Sequence, residues 1–437
     1  MNKKIVIGLT SVLGFSVVYL SGVYYSGQEA DKFIAHAVEQ AKNQTQGQAF
    51  IQVNADTGFY SSHYQMVYTP AELPKGAEEW MGGRDIPFNL EVKHGFLGAA
   101  SRITLADSGL LAKLKSIQTN TELEPVTLEV NQRFNPLSQT LSMTGSMQSG
   151  QFVVVSAKQE KATLGAIQLE FEQKDRDFML DFAMQDSGVE ANNATLSIQG
   201  ITGHETGHLD HDDPLQAVMV EALDGVFNIE RVVVENDKFS AQVEGLNLEI
   251  QQRLEAGRLL TDINYAADSF SASQAGKAAQ TIEAPNLQLA FDLDYLTTRE
   301  LAIMLQQVDR SSEAMLQQME GLMVVADGVT RQGIGMDVND LSVSWEGHKA
   351  QGSAELDLAP FAVSEIMSQP DKIRQYVTLN AQFTVPAAML EAMPDYNPRQ
   401  INGLVQMGFV QKKGDEYQVE LKVKGGVATL NGQVMPM

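Results

Sequence analysis

Leu246-Asn247-Leu248-Glu249-Ile250 and Leu287-Gln288-Leu289-Ala290-Phe291 decide the fold class. Apolar and polar residues alternate in both, and a period of two gives a strand one apolar face and one wet face. The pattern recurs upstream in Phe50-Ile51-Gln52-Val53, Tyr64–Tyr68, Phe88–Val92, Val126–Val130 and Ile167–Phe171. Downstream it returns in Leu341–Trp345, Ala354–Leu358, Tyr417–Leu421 and Ala428–Leu430. Strands buried on one side belong to antiparallel sheets. Glycine pairs such as Gly425-Gly426 between neighbours mark hairpins. No fixed-period repeat is visible, so a solenoid is not expected.

Helical spacing interrupts the strands. Gln28 to Lys42 places Phe33, Ile34, Ala37, Val38 and Ala41 at three- and four-residue steps. A short helix is expected from Pro214 to Leu223, opened by its proline. The longest is expected from Tyr295 to Asp327, where Leu301, Val308, Met315 and Leu322 recur every seven residues. That stripe could pair two copies as a homodimer. Ser311, Ser312 and Gly321 interrupt it, which favours a helix laid on its own sheet. Two shorter helices are expected near Phe361–Met367 and Pro386–Met393. The fold class is α+β: an N-terminal transmembrane helix, then a large, mainly antiparallel β-sheet body with several packed helices.

Lys3 and Lys4 precede an uncharged stretch whose apolar part runs from Ile5 to about Tyr25. At about 1.5 Å per residue it spans a hydrocarbon core of about 30 Å. The lysines fall on the cytoplasmic side by the positive-inside rule, and Tyr19, Tyr24 and Tyr25 sit toward the far interface. A cleaved signal peptide is the competing reading, but its apolar core is usually about 7–15 residues. The expected organisation is a signal anchor at 1–27, a helical stalk at 28–46 and a strand-rich periplasmic body at 47–437. The expected location is the inner membrane, single-pass, with the body in the periplasm.

Composition narrows the function. The formal net charge is −24, with 55 acids against 31 bases, so nucleic-acid phosphate is repelled. The chain holds no cysteine, which removes disulfides, thiol nucleophiles and thiolate metal sites. No phosphate-binding glycine loop and no G-x-S-x-G elbow occurs in a strand-to-helix context.

One motif invites a catalytic reading. His204-Glu205-Thr206-Gly207-His208 matches H-E-x-x-H. On a helix, both imidazoles would reach one zinc while the glutamate activates its water. His211, Asp210, Asp212 and Asp213 stand nearby as further ligands. The context opposes a helix: Gly200, Gly203 and Gly207 flank or interrupt the motif, and each interior glycine costs about 1 kcal/mol relative to alanine. A Gly-, Asp- and His-rich loop is the expected conformation. No catalytic or cofactor-binding residue is therefore assigned, and His204, Glu205, His208 and His211 remain the metal alternative. His36, His63, His94 and His348 are isolated. Trp80 and Trp345 are expected in packing, Asp292 and Asp294 on a solvated strand face. Met304, Met315, Met319 and Met323 are expected as core filling near one helix.

Several ordered patterns resemble the YdgA-like family of bacterial envelope proteins, a domain of unknown function. They are Tyr25-Ser26-Gly27 after the apolar stretch, Gly58-Phe59-Tyr60-Ser61-Ser62, His94-Gly95-Phe96, and Leu341–Trp345 leading to Gly352-Ser353-Ala354. Leu379–Pro386 and Ala428-Thr429-Leu430-Asn431-Gly432 complete the series. Phe96 departs from the family, which has proline after His-Gly. The resemblance implies an inner-membrane anchor and a periplasmic body, and carries no catalytic residue. The function expected is a non-enzymatic binding or interaction protein for a protein partner or an apolar envelope molecule such as a lipid. The alternative is a zinc metallopeptidase using His204–His208.

Overall fold

The computed structural model describes residues 50–57, 61–70, 77–95, 98–120, 122, 124–135, 140–156, 159–211, 217–275, 279–306, 327–393 and 396–435. The apolar stretch at 5–25, the stalk, and Val308, Met315 and Leu322 of the heptad stripe lie outside the described residues. Among the described residues no helix is long and apolar enough to cross a membrane. The body is mainly antiparallel sheet with a few short helices, as the alternation predicts. It divides into two compact units at Val220/Glu221.

In the N-terminal unit, β1 (Phe50–Thr57), β2 (Ser61–Thr69), β3 (Ile86–Gly95), β4 (Gly98–Leu105), β5 (Val126–Asn135) and β6 (Thr140–Ser149) pair in sequence order. β6 then pairs β9 (Ile167–Lys174), which pairs β10 (Asp177–Met184), which pairs β12 (Ala194–Leu209). The short strands β7 (Phe152–Val155), β8 (Lys161–Leu164) and β11 (Ser187–Ala191) continue the rows, β7 on β8, β8 on β11 and β11 on β12. The alternation puts Tyr64, Leu90, Ile103, Leu128 and Met147 directly opposite one another on successive strands. All five are buried, at 6% exposure or less. Two helices follow, α1 (Ala77–Met81) and α2 (Gly109–Ile117). Ser108 caps α2, its hydroxyl accepting from the Leu111 N–H at 3.1 Å. Leu110 and Leu111 of α2 pack against Leu105 at one end of the sheet.

In the C-terminal unit, β13 (Val220–Asn236) pairs β14 (Phe239–Glu255). β14 pairs both β15 (Arg258–Ala266) and β16 (Ser269–Gln274), and these pair β17 (Gln280–Asp294). β18 (Ile334–Trp345), β19 (His348–Leu358), β20 (Val377–Pro386) and β22 (Glu416–Lys424) follow in order. β21 (Gln411–Lys413) and β23 (Val427–Leu430) both pair the edge of β22 away from β20, and β24 (Gln433–Met435) pairs β23. Its helices include α3 (Tyr295–Gln306), α4 (Val363–Ser368), α5 (Ile373–Tyr376), α6 (Ala387–Ala392) and α7 (Pro398–Gln406), and residues 327–331 are also helical. α4 and α6 fall where Phe361–Met367 and Pro386–Met393 are predicted. Asp294 starts α3 by accepting the Thr297 N–H at 2.9 Å. It and Asp292, which Arg258 holds at 2.7 Å, are thus structural rather than a bare solvated pair.

Both units share one device. The long strands break partway along their length, and the alternation changes phase there. On β12 the break is Gly200, with φ +58, and on β14 it is Gly245, with φ +59. Ala284 breaks β17 with φ +45. β18 carries a register shift between Val338 and Leu341. A left-handed residue takes one position out of the pleat, as in a β-bulge, and this lets apolar side chains keep to one face beyond the break. The ladder stays satisfied across it. The Asp268 N–H donates to the Glu244 carbonyl at 2.9 Å, and the Ala284 N–H to the Asp268 carbonyl at 2.9 Å.

Two expectations are corrected. Residues 204–208 form no loop but lie within β12. The helix expected at Pro214–Leu223 is not formed over its described end, because Val220 to Leu223 begin β13. The alternation of Leu223, Gly225, Phe227 and Ile229 against β14 outweighs the helix-opening proline.

Candidate functional site

The strand conformation of β12 sets the chemistry open to His204 and His208. In a strand, residues four apart share a face but stand about 13 Å apart, at about 3.3 Å per residue. One tetrahedral zinc, with bonds of about 2 Å, does not span that distance. Each imidazole instead meets an aspartate directly across the ladder. His204 Nδ1 lies 2.7 Å from Asp181 Oδ1, and His208 Nδ1 lies 2.6 Å from Asp177 Oδ1. Glu205 is opposite Leu180, on the other face of the sheet. His211 lies beyond the end of the strand, and Asp210 accepts the Val218 N–H at 2.8 Å. Asp212 and Asp213 lie outside the described residues. Among the described residues no group of three His, Cys, Asp or Glu side chains is placed to hold a metal.

A second histidine pairing escapes sequence reasoning. His94 Nε2 lies 2.9 Å from Ser62 Oγ. Both belong to segments that carry the family resemblance, and β2 pairing with β3 brings them together. Ser62 is fully buried at 0% exposure, so this contact satisfies a core hydroxyl and presents no nucleophile to a substrate. Only the register of β2 on β3 reveals it; residues thirty-two apart carry no local signal.

The larger feature is the apolar face of the C-terminal sheet. Phe227, Leu248, Tyr265, Leu287, Leu341, Gly352, Phe383 and Val419 stand directly opposite one another across eight successive strands. At about 4.8 Å per strand the row is about 34 Å long. Its larger members are exposed: Phe227 by 37%, Tyr265 by 42%, Leu341 by 46% and Phe383 by 38%. The neighbouring row is apolar throughout, with Ile250, Ile263, Leu289, Val338, Ala354, Ala381 and Leu421. Gly352 lets the Phe383 ring lie against the backbone, where any Cβ would meet it.

The opposite face is polar and acidic. Asp292, Asp337 and Asp357 gather there around Gly335. Burial pushes the Asp337 carboxyl above the usual aspartate range, and the Asp357 and Asp292 carboxylates add to the shift. In the N-terminal unit, a separate open depression of about 680 Å³ sits at the strand breaks. Gln148, Gln168, Gln185, Asp186, Ile167 and Thr202 are among its lining residues.

The fold therefore defines an antiparallel-sheet protein whose C-terminal sheet has one acidic face and one apolar face, part of which is open. The chain belongs to the family described as Bacterial protein of unknown function (DUF945), whose model matches residues 1–437. No curated protein and no solved structure matches it.

Proposed function

We propose that this chain is a membrane-anchored, non-enzymatic binding protein of the bacterial envelope, a YdgA-like member of its family. Residues 1–27 anchor it in the inner membrane, residues 28–46 form a stalk, and the body stands in the periplasm. The body takes an apolar envelope molecule or a protein partner on the open apolar face of its C-terminal sheet.

The exposed row from Phe227 to Val419 carries this reading. Isolated surface apolar residues are ordinary, whereas a contiguous apolar patch of several hundred Å² marks a binding site. The apolar length and flanking lysines of the N-terminal segment support the anchor. The zinc peptidase alternative lacks support, because β12 holds His204 and His208 apart and gives each an aspartate.

Membrane fractionation tests the anchor: full-length chain stays with carbonate-washed membranes, and protease added to spheroplasts digests the body. Recovery of the body in the soluble fraction, with a new N-terminus, would contradict it.

A further inference from the structure

Four strand breaks line up across the N-terminal unit. They fall at Gly150-Gln151 between β6 and β7, Gly165-Ala166 between β8 and β9, Gln185-Asp186 between β10 and β11, and Gly200 within β12. Two serines replace ladder bonds lost there. The Ser149 hydroxyl accepts the Ile167 N–H at 3.1 Å, and the Ser187 hydroxyl accepts the Gly165 N–H at 2.8 Å. The depression of about 680 Å³ at these breaks is thus a built feature, within the roughly 300–1,000 Å³ that small-molecule sites take. Gln148, Gln151, Gln168, Gln185 and Thr202 line it, with Asp186 as its one charged residue. Among the described residues, the side chains of Gln148, Gln185, Asp186 and Thr202 meet no hydrogen-bond partner.

Strand pairing carries the same chemistry beyond the depression. Gln148 stands opposite Thr127, and the row continues through Thr104 and Asn89 to Gln65. On its other side it runs through Gln168 and Ala183 to Thr202. The row crosses eight strands, about 34 Å at about 4.8 Å per strand. None of its members is buried and none is charged, in a chain of 55 acids and 31 bases. The next row on that face holds Glu91, Arg102, Glu129, Glu170 and Asp181.

Amides and hydroxyls both donate and accept, which matches a ligand whose own groups do both. An anion finds no lysine or arginine in the depression, and a cation finds one carboxylate. Hydrocarbon would leave the amides without partners. A peptide strand adds along an open sheet edge, whereas this row crosses strands whose backbone groups are already paired. We propose that the depression and its row bind a neutral oligosaccharide. One end sits among Gln148, Gln168, Gln185 and Thr202, and the rest lies across the strands toward Gln65. Ile167, Met184 and Ile201, also in the lining, meet the C–H faces of the sugar rings. The site belongs to the N-terminal unit and does not involve the apolar face of the C-terminal sheet.

The test is calorimetric titration of the full chain, in a detergent without a sugar headgroup. The probes are neutral hexasaccharides of glucose and of N-acetylglucosamine, the matching disaccharides, and a Gly-Ser peptide. Saturable binding of at least one hexasaccharide is expected, unchanged by high salt because no charge is paired. Gln148→Ala/Gln168→Ala should weaken it at least about tenfold. Both positions are exposed, so the variant should keep the wild-type thermal midpoint. Asn89→Ala should weaken the hexasaccharide and leave the disaccharide unchanged; equal effects on both would overturn the extension along the row. No saturable binding of any of these sugars, binding that the double variant leaves intact, or equal binding of the peptide would overturn the site.

Discussion

The same alternation builds two register-paired apolar rows with opposite fates. In the N-terminal sheet, Tyr64, Leu90, Ile103 and Leu128 face one another at 1%, 3%, 4% and 0% exposure. In the C-terminal sheet, Phe227, Tyr265, Leu341 and Phe383 stand in one row at 37–46%. Pattern and pairing are alike, so alternation alone fixes which way a side chain points and leaves open whether anything covers it. The first row is a core that stabilises the fold. The second forgoes part of that stabilisation.

Truncation should separate the rows most strongly. Leu128→Ala removes a fully buried side chain and should cost about 2–5 kcal/mol. Leu341→Ala should cost about 0.5 kcal/mol or less. Denaturant-dependent hydrogen exchange reads each unit by itself, which a single unfolding curve of two units does not. Equal costs would break the comparison.

A glycine pair sharpens it. An alanine Cβ at Gly145 would press on the Phe171 ring, which is 9% exposed, and on the Glu129 carbonyl. Such overpacking should cost about 1–3 kcal/mol. At Gly352 the Cβ would press on Phe383, which can swing toward solvent. Gly352→Ala should then cost less than Gly145→Ala in the same exchange experiment.

The polar face should respond weakly. His204 and Asp181 are 53% and 45% exposed, so their pairing is screened. His204→Ala should cost below about 1 kcal/mol. Elemental analysis of the purified chain, wild type beside His204→Ala/His208→Ala, should find equal zinc in both. One zinc per chain lost in the double variant would restore the metal site.

Asp337 gives the smallest effect, with a definite sign. Its native pKa is raised, so the native state carries a cost while the carboxylate is charged and sheds it as pH falls. Asp337→Asn should raise the thermal midpoint at neutral pH. The gap to wild type should close as pH drops through the raised native value and vanish below the ordinary aspartate value of 3.8.

Leu246–Ile250 and Leu287–Phe291 both lie in strands, because one apolar face per strand is a local signal. The longest strands were less legible. β12 and β14 run through Gly200 and Gly245, where a left-handed residue shifts the alternation by one. Ile198 and Ile201, three apart, therefore read as a break rather than as one strand. Glycines at 200, 203 and 207 made the His-rich segment look like a loop, whereas pairing with β10 holds it extended. The Ser62–His94 contact and the open row depend on pairings between distant segments, which no single segment encodes.

The chain has no cysteine, so single replacements offer clean chemical probes. The most direct measurement compares Leu128→Cys with Leu341→Cys in the purified full chain, using an uncharged maleimide. The account predicts an unreactive Cys at 128 and a reactive one at 341. Equal reactivity at both positions would contradict a covered core beside an open row.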